Sequence, residues 1–144
     1  MRDKRRLHHI GYVVSSISGA VEAFQSAMGL SWDGRVVADP LQMVQVTFLR
    51  TSFPDQPLIE LVEPHGRRSP VRAFAEDGGG IHHVCFEVAD LLGQVGENEG
   101  AGDVLVRVPM RAAAFDGRRI AWVRTRAGAL VEYLEAPLQR SYSG

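Results

Sequence analysis

Leu7-His8-His9-Ile10-Gly11-Tyr12-Val13-Val14 decides the fold, because the chain repeats it as Ile81-His82-His83-Val84-Cys85-Phe86-Glu87-Val88. The second copy starts 74 residues after the first. Each copy is an apolar run rich in β-branched and aromatic residues, the pattern of a strand buried on both faces. A second pair of look-alike strands follows, Leu58-Ile59-Glu60-Leu61-Val62-Glu63-Pro64 and Leu130-Val131-Glu132-Tyr133-Leu134-Glu135-Ala136-Pro137, with Glu60 and Glu132 72 residues apart. One duplicated unit thus sets two histidines and two glutamates at matched points. That arrangement is a metal site before it is anything else.

Between the first pair of strands, Ser15 to Ser18 end the apolar run. Ala20, Val21, Phe24, Ala27 and Met28 then recur at helical spacing, and Gly29 stands where a C-cap glycine belongs. A one-sided helix covering a sheet is expected there. Residues 32–38, 43–51 and 58–62 read as three strands joined by turn signals at 38–40 and 52–55. Residues 7–64 therefore form a first βαβββ module. Residues 65–80 are expected to be a linker with a short helix, Ser69 serving as its N-cap and Pro70 as its first residue. Residues 81–137 form the second module, with strands at 104–108, 119–124 and 129–134. Its crossover helix is expected to be short or frayed, since Gly93, Gly96, Gly100 and Gly102 each cost about 1 kcal/mol in a helix interior. The tail from Gln139 is expected to be mobile. The fold class is α+β, a single domain over 1–144 made of two tandem βαβββ modules.

A chain of 144 residues with 45% apolar side chains can bury one proper core. Its net charge of −1 supplies no global field for a nucleic acid or membrane partner, and neither is expected. The lone Cys85 excludes an internal disulfide. The basic stretch at 2–6 leads into a strand, not into the apolar segment of a signal peptide, so a cytoplasmic location is expected.

Side chains alternate along a strand, so His9 shares a face with Gly11 and Val13, whereas His8 shares one with Ile10, Tyr12 and Val14. In the repeat His83 shares its face with Cys85. The second histidine of each copy is thus followed, two residues on, by a small side chain that leaves room for an imidazole, which selects His9 and His83. Glu60 sits between Ile59 and Leu61, and Glu132 between Val131 and Tyr133. A carboxylate at the centre of an apolar strand must be paired or metal-bound, because burying it alone is very costly. Glu63 and Glu135, nearer the strand ends, are expected to be solvated. A solitary strand histidine is most often a hydrogen-bonded core or rim residue, and only the repeat turns four such residues into a ligand set. Imidazole and carboxylate donors suit a divalent ion such as Co, Mn, Ni, Zn or Fe(II), and the lack of thiolate argues against structural zinc. Four protein ligands on an octahedral ion leave two positions for neighbouring substrate oxygens.

At these residues the sequence resembles the vicinal oxygen chelate superfamily, and within it most closely the methylmalonyl-CoA epimerase branch. The resemblance rests on His-His-Ile-Gly at 8–11, Ile-Glu-Leu-Val-Glu-Pro at 59–64, Ser-Pro-Val at 69–71, Gly-Ile-His-His-Val at 80–84, Asp-Gly-Arg-Arg-Ile-Ala at 116–121 and Leu-Val-Glu-Tyr-Leu-Glu at 130–135. It implies that the modules close into a half-open mixed-sheet barrel around one metal, held by His9, Glu60, His83 and Glu132. It also implies a metal-dependent epimerase acting by α-proton abstraction on an acyl thioester such as methylmalonyl-CoA, with a CoA- or carrier-bound substrate and a homodimeric state. Glu132 is then the base, alternating between ligand and base. Some members carry a further glutamate on the third strand, and the match for it here is Gln45. Glu60 departs from the glutamine frequent in epimerases and matches glyoxalase I. Val123-Arg124-Thr125-Arg126 replaces the usual His-Pro-Lys loop, and Arg118, Arg119, Arg124 and Arg126 are candidates to meet phosphates. The alternatives are a glyoxalase I-like lyase, another vicinal-oxygen-chelate enzyme of a biosynthetic pathway, an iron dioxygenase, and a metal-free drug-binding protein of the same fold.

Overall fold

The computed structural model describes residues 5–137, so the expectation for the tail from Gln139 lies outside the described residues. The first five regular elements are β1 (Arg6–Val13), α1 (Ile17–Met28), β2 (Ser31–Asp39), β3 (Val44–Arg50) and β4 (Leu58–Pro64). A short helix, α2 (Arg72–Glu76), precedes β5 (Gly80–Val88), α3 (Leu91–Gly100), β6 (Val104–Arg111), β7 (Arg119–Arg124) and β8 (Leu130–Glu135). All eight strands join one mixed sheet in the order β2-β3-β4-β1-β5-β8-β7-β6. Each copy of the His-His stretch is a central strand. β1 and β5 pair antiparallel at the middle, while β4 and β8 flank them in parallel. The sheet is thus two copies of one strand order meeting at the β1–β5 seam.

Helices α1 and α3 cover the outer face. Ser16 caps α1 by accepting a hydrogen bond from the Gly19 N–H (3.2 Å), and Glu63 on β4 accepts one from the Ile17 N–H (2.8 Å). Glu63 is therefore tied to a helix start, which satisfies one of the donors that every helix N-terminus leaves free. Gly29 ends α1 in the left-handed conformation (φ 65°), its N–H donating to the Gln25 carbonyl. The buried side of α1, Ile17 and Val21, lies on Leu49, Ile59 and Leu61. Burying each such aliphatic side chain stabilises by about 1.5–3 kcal/mol, and that packing holds the helix.

Two helical expectations are corrected. α3 is a full ten-residue helix despite its glycines. Asp90 caps it, Leu91 and Val95 are buried, and Asn98 donates to both Asp103 (2.8 Å) and the Tyr133 hydroxyl (3.2 Å). Tertiary packing and these side-chain bonds outweigh the intrinsic cost of glycine. α2 starts at Arg72, and Ser69 does not cap it. Val71 is drawn into an inner apolar cluster with Val13, Val44, Val46 and Val62, so the helix begins only after that anchor.

The inner face of the sheet encloses a cavity of about 250 Å³, lined from β3 and β4 on one side and from β6 and β7 on the other. The sheet therefore curls towards itself without closing. Trp122 Nε1–H donates to Gln42 Oε1 (3.1 Å) and an Arg107 guanidinium N–H to the Leu41 carbonyl (3.2 Å), tying the two ends across the gap. No helix among the described residues is long and apolar enough to cross a membrane.

Candidate metal centre

The register of the inner strands assembles the site as two rows. Phe48, Glu60, Gly11 and His83 are successive cross-strand neighbours on β3, β4, β1 and β5. His9, Cys85, Glu132 and Trp122 are successive neighbours on β1, β5, β8 and β7. The rows are equivalent under the internal repeat. Glycine in one and cysteine in the other face the histidine of the opposite copy.

The four expected ligands meet at the base of the cavity, where Glu60, His83 and Glu132 line it and His9 is fully buried against them. His9 Nε2 and His83 Nε2 are 3.2 Å apart. Glu60 Oε1 lies 3.4 Å from the former and 3.2 Å from the latter, and Glu132 Oε1 lies 3.0 and 3.6 Å from them. His9, Glu60 and His83 form one group whose donor atoms all fall within 4.8 Å of one another, and Glu132 joins it through both imidazoles. All four residues are buried, none more than 5% exposed.

A divalent ion fits these donors. Metal–ligand bonds of about 2.0–2.1 Å place adjacent ligand atoms about 3.0 Å apart in an octahedron and about 3.4 Å apart in a tetrahedron. Four of the five spacings, 3.0–3.4 Å, fall in that range, and the fifth, His83 Nε2 to Glu132 Oε1, is 3.6 Å. Glu132 Oε1 is also fully buried and makes no hydrogen bond, although His9 Nε2 is within 3.0 Å. These atoms point towards a common centre more than towards each other.

The charges agree with a site built for a cation. Burial alone would push both carboxylates up, but the facing imidazoles hold Glu60 and Glu132 well below the ordinary carboxylate range. Burial alone would likewise lower His9 and His83, but the Glu60 charge beside His9 and the Glu132 and Glu60 carboxylates beside His83 raise both above the usual histidine value. In the absence of metal, the two carboxylates favour protonation of the facing imidazoles.

His8 and His82 are not where strand alternation puts them. Leu7 opposes Phe86 and His9 opposes Cys85, while Gly11 opposes His83 and Tyr12 opposes Ile81. His8 and His82 are therefore each the extra residue of a β-bulge, and a bulge re-aims side chains. His8 leaves the helix-covered face expected for it and lies against Phe48 and Phe115, with ring centroids 6.3 and 5.3 Å away. His82 lines the cavity. Burial first, and then the neighbouring ligand histidine, lowers each to about 4.

Gln45 does not reach the cavity. β3 presents Val44 and Val46 there, and Gln45 occupies the opposite face, its sheet neighbours being Ala38 and Glu63. Of the four candidate arginines only Arg124 lines the cavity. Arg118 pairs with Glu87 (3.2 Å), Arg119 with Glu135 (3.0 Å) and Arg126 with Asp103 (3.5 Å). Glu135 is accordingly not a free, solvated carboxylate; hydrogen bonding from Arg119 holds it below its ordinary value. Sequence reasoning missed Arg107, Gln42 and the aromatic walls Phe115 and Trp122. Trp122 was findable, since it lies 74 residues after Phe48, the interval that separates the ligand histidines.

A half-open eight-stranded sheet of two βαβββ units with a buried His₂Glu₂ floor describes a class of proteins, and the sequence profile of the Glyoxalase/Bleomycin resistance protein/Dioxygenase superfamily matches residues 8–122. The chain belongs to that superfamily. It is 35% identical to the ethylmalonyl-CoA/methylmalonyl-CoA epimerase of Cereibacter sphaeroides over 89 residues, which are 60% of this chain and 63% of that one. The match thus spans less than two thirds of that relative. The chain is also 32% identical to the uncharacterized protein YqjC of Bacillus subtilis across 90% of its own length and 91% of the relative's. The methylmalonyl-CoA epimerase of Mycobacterium tuberculosis superposes with a TM-score of 0.79, covering 92% of this chain and 89% of that one at 24% identity. At that identity the superposition speaks for the fold.

Proposed function

We propose that the protein is a metal-dependent epimerase or isomerase that removes the proton next to the carbonyl of an acyl thioester. The observation that carries this reading is the convergence of His9, Glu60, His83 and Glu132 at the floor of an otherwise mostly apolar cavity. These four would hold a divalent ion, which supplies Lewis acidity to two adjacent substrate oxygens. Glu132 takes the proton through its carboxylate. Its Oε1 has no hydrogen-bond partner to hold it in place, which would leave it free to act as the base. Val44, Val46, Val62 and Val71 receive the alkyl substituent of the substrate and keep water from the reacting carbon. Arg107 and Arg124 offer guanidinium groups to the anionic arm of a CoA or carrier-bound thioester. The kinship with a CoA-thioester epimerase supports this choice of substrate.

A second reading, a glyoxalase I-like isomerase or lyase, is favoured by the β3 wall. Glu60 and Glu132 are the only carboxylates lining the cavity among the described residues, and the side facing them is aliphatic. One carboxylate suffices to shuttle a proton between neighbouring carbons, whereas inversion needs a donor on the other face. Deuterium uptake at the 2-position of methylmalonyl-CoA in heavy water, with metal-stripped protein reloaded with cobalt, tests both. Uptake that disappears in Glu132→Ala and in stripped protein supports α-proton abstraction, and the configuration of the product tells epimerisation from one-face exchange. Tight cobalt binding with no uptake overturns the thioester reading.

A further inference from the structure

We infer that His8 and His82, the two bulged histidines, are positioning residues that fix the orientation and tautomer of the metal-binding imidazoles. The inference rests on the metal reading given above. His8 Nδ1 lies 2.8 Å from His9 Nδ1, and His82 Nδ1 lies 2.9 Å from His83 Nδ1. In both copies the ring centroids are 5.1 Å apart, with the planes at 80° and 90°. Two contacts of the same geometry at matched points of a repeat are a built feature of the site.

The proton placement follows from the far side of each ring. His9 and His83 turn Nε2 towards the carboxylates and towards each other. A neutral imidazole whose Nε2 lone pair binds a metal carries its proton on Nδ1 and needs an acceptor there. The Cys85 thiol also lies near the His9 ring, but in both copies the partner at hydrogen-bond distance from Nδ1 is the neighbouring histidine, so His8 and His82 accept at Nδ1 and carry their own protons on Nε2. An aromatic wedge holds each acceptor ring: Phe115 meets His8 edge-on at 5.3 Å, and Phe74 meets His82 edge-on at 5.1 Å. The bulges make this possible, because on an unbroken strand consecutive histidines point to opposite faces of the sheet.

Cobalt titration by calorimetry on the full chain tests the inference, with zinc-loaded protein for imidazole nitrogen NMR. Wild-type protein that binds no divalent ion overturns the metal reading and this inference with it. If wild type binds cobalt, His8→Leu and His82→Leu should each weaken binding by about 10–100-fold. His82→Asn, whose Oδ1 stands near the place of Nδ1, should recover most of the loss. Leucine variants that bind like wild type, or an asparagine variant as weak as the leucine one, overturn the inference while leaving the metal reading intact. Should a leucine variant fail to fold, the wild-type zinc protein decides: bare Nδ1 and protonated Nε2 on His8 and His82 support the assignment, and protonated Nδ1 on His8 and His82 refutes it.

Discussion

Gly11 stands directly across the β1–β5 ladder from His83, and a methyl group on Gly11 would overlap the imidazole ring. Its φ is not positive, so backbone freedom is not what this glycine supplies. It supplies the volume in which the imidazole of His83, from the other repeat, lies.

Gly11→Ala is therefore expected to displace His83 from the carboxylates. Cobalt affinity should drop by at least about tenfold, and the metal-free protein should lose about 1–3 kcal/mol through overpacking. Calorimetric titration and denaturant unfolding measure the two effects separately. An unchanged affinity would show that His83 is not held by this contact.

Between neutral and alkaline pH, metal-free protein should lose stability while metal-loaded protein should hold it. In metal-free protein His9 and His83 titrate above 6.5, so their stabilising contribution is complete below that value and is lost as pH rises through the folded-state values. Glu60 and Glu132 act the other way, their contribution being lost as pH falls below about 4.5. In loaded protein the imidazoles carry no metal-side proton, so stability should rise with pH up to the unfolded histidine value and then level off. Urea unfolding between pH 6 and 9, with and without zinc, reads both slopes. Parallel slopes would exclude protonated imidazoles in the metal-free site.

Gly96→Ala should stabilise. Gly96 is exposed in the interior of α3, has no positive φ, and a Cβ there would meet nothing within 4 Å. The gain expected from helix propensity and reduced unfolded-state freedom is about 0.5–1 kcal/mol, readable as a rise in Tm of a few degrees. Gly93→Ala should do the reverse, since its Cβ would collide with the Asp90 carboxylate that caps the helix.

Arg107→Ala and Arg124→Ala should each raise KM for a CoA thioester by about tenfold, the size of one lost charge-assisted contact, with a smaller change in kcat. Arg119→Ala is the control. Its guanidinium is engaged with Glu135 outside the cavity, so KM should stay within about twofold. Equal effects from all three would point to a general charge effect instead.

The convergence of His9, Glu60, His83 and Glu132 was legible in the sequence because duplication supplied its own alignment: the interval from His9 to His83 and that from Glu60 to Glu132 differ by only two residues. α1 was legible for a local reason, its cap residues and stripe lying within one short stretch. The β3 face was not. Whether Gln45 or Val46 turns inward depends on where the strand begins, and Met43, at φ 54°, re-aims the chain just before β3. The bulges at His8 and His82 were equally hidden, because they exist only in the pairing of β1 with β5. Arg107 escaped because β6 is an edge strand with two irregularities in its ladder to β7, so its alternation carries little information. The sequence spoke clearly where the deciding contacts were local or repeated, and poorly where a partner strand chose the register.

The two rows of the site cross the same seam. His9 and Glu60 come from one half of the chain and His83 and Glu132 from the other, yet each row mixes residues of both. An ion held by these four residues would act as a rivet: the β1–β5 joint could not slip by a single residue or hinge apart without breaking coordination on both halves together. Loading the site thus joins the halves into one mechanical unit, and amide exchange along β1 and β5 should slow in step when the rivet is set.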